Sequence, residues 1–202
     1  MRYYLLALAA LGIAVYSCSD QKEPDAKDDY QTLVKDQEMA HDQMVQRGQY
    51  LTTIADCVGC HSPKNFTDHG PVLDSTRLFA GHPAGSPLPP FDPNATKPGN
   101  WMNMAGDITV FVGPWGVSYT ANLTPDSATG IGAWTEETFI KALRTGKHMG
   151  MENGRPIMPP MPWEMVGKMT DEDLKSIYAY LRSLPPVNNK VPEPIPPTEV
   201  GK

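Results

Sequence analysis

Cys57-Val58-Gly59-Cys60-His61 is a C-x-x-C-H run, and each of its fixed residues has a chemical duty. Two thiols one short turn apart can add across the two vinyl groups of a porphyrin, and a histidine that follows at once reaches the iron from the same face. The spacing therefore implies covalent c-type haem, with Cys57 and Cys60 as thioethers and His61 on the iron. Two other chemistries use paired cysteines. A zinc site needs a second Cys or His pair at ligand spacing, and no second cysteine pair is left to supply one, since Cys18 is the one other cysteine. A thioredoxin-like dithiol sits in a βαβ context, which the flanking sequence lacks. No second C-x-x-C-H and no internal repeat occurs, so the count is one haem per chain.

The 202 residues are 40% hydrophobic and 20% charged, with a formal net charge of −6. This is the composition of a soluble domain, and without a basic stripe it excludes nucleic acid as a partner. The opening segment has one basic residue, Arg2, an apolar run from about Tyr3 to Tyr16, and small residues before Cys18. The run is shorter than the ~20 residues of a membrane-spanning helix and reads as a signal peptide over residues 1–17. Val15-Tyr16-Ser17-Cys18 resembles a bacterial lipobox, which implies cleavage before Cys18 and lipidation of its thiol. The alternative is an ordinary signal peptide with an incidental cysteine. Residues 18–40 are polar and are expected as a disordered tether. A proline-dense tail, 188–202, is expected to be extended and to lie along the surface or trail.

The folded domain is expected over 41–187. A helix from about His41 into the haem motif places Met44, Gly48, Leu51 and Ala55 on one face. A glycine inside a helix costs about 1 kcal/mol against alanine, so Gly48 predicts the close approach of another backbone or ring. The candidate is the last helix, Asp171 to about Leu184, with the stripe Leu174, Ile177, Tyr178 and Leu181. Thr170 is placed to cap it, and Asp171 and Glu172 favour its positive end. A third helix, about Thr135 to Thr145, buries Phe139, Ile140 and Leu143 and stops at Gly146.

Three helices, the first entering the haem motif and the last crossing it, resemble the class I cytochrome c fold over about Arg47 to Asn188. The resemblance rests on Gly48-x-Tyr50-Leu51 before the haem motif, Asn122-Leu123-Thr124-Pro125-Asp126, Thr129-Gly130-Ile131-Gly132-Ala133-Trp134-Thr135 and Leu143-Arg144-Thr145-Gly146-Lys147. It continues through Pro159-Pro160-Met161-Pro162-Trp163 and Thr170-Asp171-Glu172-Asp173-Leu174 to Leu184-Pro185-Pro186-Val187. These pieces are similar to the haem domains that accompany membrane dehydrogenases and to single-haem bacterial lipoproteins. The implied fold is mainly α, with about three core helices and a long loop insertion from Ser62 to about Val117. Within that insertion Asp107–Val112 and Val117–Thr120 are β-prone runs around Gly113-Pro114-Trp115-Gly116. They read as a small β-hairpin that covers one haem edge.

The sixth iron position in electron-transfer cytochromes is usually a thioether, which favours ferrous iron. Met161 is chosen from eleven methionines, because flanking prolines fix its loop and because the resemblance puts the ligand at this Met-Pro step. Met158 is the rival. His148 would instead give a bis-histidine haem, with His41, His69 and His82 as outsiders. The Nδ1 hydrogen of His61 needs an acceptor, and the carbonyl of Pro71 is a candidate. Trp115, Tyr119, Asn122, Trp134 and Arg144 carry donors that suit haem propionates or plain packing equally well.

The expected function is a membrane-tethered, exported electron carrier without substrate chemistry of its own. It would relay electrons between a dehydrogenase and a downstream respiratory acceptor, such as a terminal oxidase or another cytochrome. Lipid on Cys18 would hold it to a bacterial membrane, facing the periplasm or the cell surface. The alternative is a haem enzyme or gas-binding sensor with an open iron position.

Overall fold

The computed structural model describes residues 26–201. The signal peptide, Cys18 and the first part of the expected tether lie outside the described residues. The chain divides into two compact units between Gln37 and Glu38. Of the first, the described part is helical, with Tyr30 and Leu33 exposed. The second holds every element from the middle of the first helix onward.

Helix α1 runs Ala26–Ile54, fifteen residues earlier than the start at His41 that apolar periodicity marks. Residues 26–40 were expected as tether and are helical instead. The physical reason is propensity: Ala, Lys, Gln, Glu, Leu and Met dominate Ala26–Ala40, and such residues lose little side-chain freedom in a helix. Nor does α1 flow into the haem motif. It stops at Ile54, and Asp56 adopts a left-handed conformation (φ 54°) before a separate helix α2, Cys57–His61, begins.

Two short hairpins and a third strand fill the stretch after the motif. Strands β1 (Lys64–Thr67) and β2 (Gly70–Leu73) pair antiparallel across a two-residue turn. Strands β3 (Asn103–Met104), β4 (Val110–Gly113) and β5 (Gly116–Tyr119) form an antiparallel sheet in that order, with Gly113 opposite Gly116. Helices α3 (Glu136–Thr145), α4 (Trp163–Val166) and α5 (Asp171–Ser183) follow. Both long ones are capped as their sequences predict. Thr135 accepts from the Thr138 amide and Thr170 from the Asp173 amide, each at 3.1 Å. Gly146 ends α3 in the left-handed region, where a side chain would be strained.

The main core forms where α1, α3 and α5 meet: Leu51, Phe139, Leu143, Leu174, Ile177 and Leu181 are buried together with Phe79 and Ile131. Each such side chain contributes roughly 1.5–3 kcal/mol by leaving water. Gly48 is the tight point of the α1–α5 contact. A Cβ there would stand 1.9 Å from the Ser176 carbonyl oxygen and 2.7 Å from Tyr180 Cβ, so only glycine fits. A second cluster joins Ala95, Val110, Val112 and Val117, with Ile195 and Val200 of the C-terminal segment packed on it. The tail therefore does not trail. Ile195 and Val117 exchange both backbone hydrogen bonds, at 2.8 and 3.0 Å, which fastens the tail to the β5 edge by a one-residue antiparallel bridge. Among the described residues no helix is long and apolar enough to cross a membrane.

Candidate functional site

The short helix α2 presents Cys57, Cys60 and His61 to a cavity of about 330 Å³, within the ~300–1,000 Å³ range of cofactor sites. Its wall combines the core faces of α3 and α5 (Phe139, Leu143, Ile177, Leu181) with Phe111 and Tyr119 of the sheet and Met158 to Pro162 of the proline-rich loop. Most of these side chains are apolar, as a porphyrin face requires. The shape of α2 is set locally. The Asp56 carboxylate lies over the motif, and a Cβ on Gly59 would meet its Oδ1 at 2.2 Å, so a side chain at the second variable position would displace that carboxylate. The Lys64 ammonium is closed by three backbone carbonyls, those of Gly59, Ser62 (3.1 Å) and Asp107 (2.6 Å). It ties the end of the motif to the loop before β4.

His61 is buried, and its Nδ1 lies 2.8 Å from the Ala121 carbonyl oxygen. A carbonyl only accepts, so Nδ1 carries the hydrogen and Nε2 keeps its lone pair. Burial holds the His61 pKa below its ordinary value, against the opposing pull of the Ala121 carbonyl. The ring is thus neutral at neutral pH, the form that ligates a metal. The acceptor is Ala121 and not Pro71, which lies exposed on β2. A backbone oxygen sixty residues away leaves no side-chain signal in the sequence, and Pro71 was a misleading guide.

The two thiols contradict a redox dithiol. Burial first, with Asp56 and Cys60 adding, pushes the Cys57 thiol up to about 11, while its backbone hydrogen bond opposes. Burial also raises Cys60, with Asp56 in the same direction and Lys64 against. Reactive cysteines have lowered pKa values and positive surroundings, so these are not poised for thiol–disulfide exchange.

Met161 and Met158 both line the cavity, and Met161 also packs against the main core. Among the histidines, only His148 joins His61 on the wall, edge-on to Trp134 at 5.4 Å between ring centroids. His41 and His69 are exposed, and His82 is buried with Nδ1 2.8 Å from Thr109 Oγ1. Of the five donor residues, Tyr119 and Trp134 line the cavity. The other three are engaged elsewhere: Trp115 Nε1 donates to Ser118 Oγ, Asn122 Nδ2 to the Val187 carbonyl, and Arg144 to the Gly167 carbonyl and Asp171. Arg155 and Pro194 stand on the wall as well, and neither was singled out in the sequence. Thr120, also on the wall, has a buried hydroxyl with no partner among the described residues. A bound group with polar edges would satisfy it. The donor set, the neutral histidine and the apolar wall all fit haem c.

Residues 45–185 match the family model described as cytochrome c. Similar proteins include the gluconate 2-dehydrogenase cytochrome c subunit of Pantoea cypripedii, 32% identical over 151 residues that make up 75% of this chain and 25% of that protein. The fructose dehydrogenase cytochrome subunit of Gluconobacter japonicus is 32% identical over 142 residues, 70% of this chain and 21% of its own. The cytochrome c subunit of the quinone-type alcohol dehydrogenase from Gluconobacter oxydans (strain 621H) is 27% identical over 157 residues, 76% of this chain and 25% of its own. The chain thus spans about a quarter of the length of these curated relatives.

Proposed function

This chain belongs to the cytochrome c family and carries covalently bound haem c with its iron, and from that premise we propose that it is a membrane-tethered, single-haem electron carrier. It takes electrons from a dehydrogenase and passes them to a downstream respiratory acceptor. Cys57 and Cys60 form the thioethers, His61 ligates iron through Nε2, and Met161 supplies the sixth ligand. The observation that carries this reading is the apolar cavity that gathers Cys57, Cys60, His61, Met158 and Met161. Haem iron bound there exchanges one electron between ferric and ferrous states. The protein holds His61 neutral and oriented through Ala121, keeps water from the porphyrin face, and presents sulfur from a loop in which prolines restrict movement. The dehydrogenase subunits among its relatives support the donor, and the lipobox-like Cys18 supports export and anchoring.

Replacing Met161 by Ala should abolish the weak red charge-transfer band of the ferric protein and let the reduced protein bind carbon monoxide rapidly. Met158→Ala should leave both unchanged. Exchanged behaviour would make Met158 the ligand. A wild-type protein that binds carbon monoxide at once would instead be an open-site haem protein, an enzyme or gas sensor.

A further inference from the structure

The segment after residue 185 lies outside the family-matched region 45–185, yet it builds part of the haem cavity. Pro194 lines the wall, and the next residue, Ile195, is locked to Val117 by two backbone hydrogen bonds. Gly116 accepts this contact because it has no Cβ, which would sit 2.0 Å from the Ile195 carbonyl oxygen. On the other side of Pro194, Glu193 Oε2 stands 3.7 Å from Nε of Arg155. Arg155 lines the same cavity and is the one lysine or arginine on its wall among the described residues; the one carboxylate is Asp56, beside the motif.

The neighbourhood of Arg155 is fixed by backbone. The His148 amide donates to the Arg155 carbonyl at 2.9 Å, and the Ile157 amide donates to that of Gly146 at 2.8 Å. His148 and Arg155 are therefore held opposite each other, beside the antiparallel bridge of Lys147 and Pro156. Burial lowers the His148 pKa, Arg155 lowers it further and Glu193 opposes, which puts the three groups within mutual electrostatic reach. The Arg155–Glu193 contact is loose. It exceeds hydrogen-bond length, Glu193 is 82% exposed, and such pairs are worth little. The guanidinium fork is left to take a better acceptor, and haem carries two carboxylates of the kind it binds in bidentate fashion.

We propose that Arg155 anchors a haem propionate carboxylate and that Glu193, carried by the C-terminal strap, competes for the same guanidinium, so that the strap tunes the reduction potential. The proposal rests on the haem-carrier reading. A cation beside the porphyrin favours the state with the extra electron, and a carboxylate that neutralises the cation weakens that effect.

The test is spectroelectrochemical titration of the full-length holoprotein, in which covalent attachment keeps every variant loaded with haem. Each iron takes one electron from the electrode, and no bond is made or broken. Arg155→Gln should lower the midpoint potential, and Arg155→Lys, which keeps the charge, should restore most of it. Glu193→Gln should raise the potential, and this rise should shrink or vanish in the Arg155→Gln background. An unchanged potential in Arg155→Gln, or a Glu193→Gln shift of equal size with and without Arg155, would overturn the proposal. If Arg155→Gln does not fold, Glu193→Gln and Arg155→Lys decide, and no shift in Glu193→Gln overturns it. Wild-type protein that binds carbon monoxide at once would defeat the carrier reading alone, because these shifts report the anchor whether or not the sixth position is closed.

Discussion

His61 shows how one side chain is prepared for a metal: the Ala121 carbonyl takes the Nδ1 hydrogen and burial suppresses protonation, so Nε2 is available without any movement of the ring. A second side chain, Asp74, organises the backbone close to the motif at the same scale. Asp74 turns the chain after β2, and its amide donates to the Pro63 carbonyl at 2.9 Å, two residues beyond His61. Its carboxylate accepts from the Thr76 hydroxyl (2.6 Å), the Arg77 guanidinium (2.8 Å) and the Thr76 amide (3.0 Å). The Thr76 hydroxyl and Arg77 lead in holding the Asp74 carboxyl down at about 2, from an ordinary 3.8. A group whose folded pKa is depressed adds stability above its unfolded value and loses it as pH falls toward the folded one. The contribution of Asp74 should thus be complete at neutral pH and decline between about pH 4 and pH 2. Asp74→Asn should destabilise the protein at pH 7 by on the order of 1–2 kcal/mol. The difference from wild type should narrow in acid, as denaturant melts at pH 7 and pH 3 would show; an equal difference at both pH values would remove the carboxylate from the account.

Elements carry their own instructions where those are local. The Thr170 hydroxyl accepts the Asp173 amide at 3.1 Å, and Asp171, Glu172 and Asp173 fill the first turn of α5. Thr170→Ala should therefore cost about 1 kcal/mol, while Thr170→Ser should stay close to wild type in thermal melts followed by circular dichroism. A loss of equal size in both variants would point to packing of the threonine methyl group instead. The helix stripe of α5 and the stop at Gly146 were legible for the same reason: caps and 3.6-residue periodicity depend on near neighbours. The start of α1 was not, because periodicity reports burial, and this part of the helix forms through propensity, with residues 30–40 exposed apart from a half-buried Val34. The break at Asp56 was missed too, since a left-handed aspartate carries no mark that distinguishes it from one in a helix.

For the whole molecule, anchoring and electron transfer set the expectations. Cys18→Ser should move the protein from the membrane to the soluble exported fraction, because lipid on that residue is the strong anchor the sequence offers. A variant that still sediments with membranes after a salt wash would disprove the lipobox. The sequence by itself determined the cofactor, since C-x-x-C-H is a contiguous chemical unit. It also determined the α1–α5 crossing through Gly48, since a glycine inside a helix is costly unless something must come close. The tertiary structure alone decided which carbonyl orients His61 and that the tail is a strap on β5. It also decided that Arg155 and Glu193 meet at the cavity while Arg144 is committed to Gly167 and Asp171. These depend on backbone atoms and charged groups brought together from distant positions, and such pairings follow from where the core forces the chain to run rather than from any local pattern of residues.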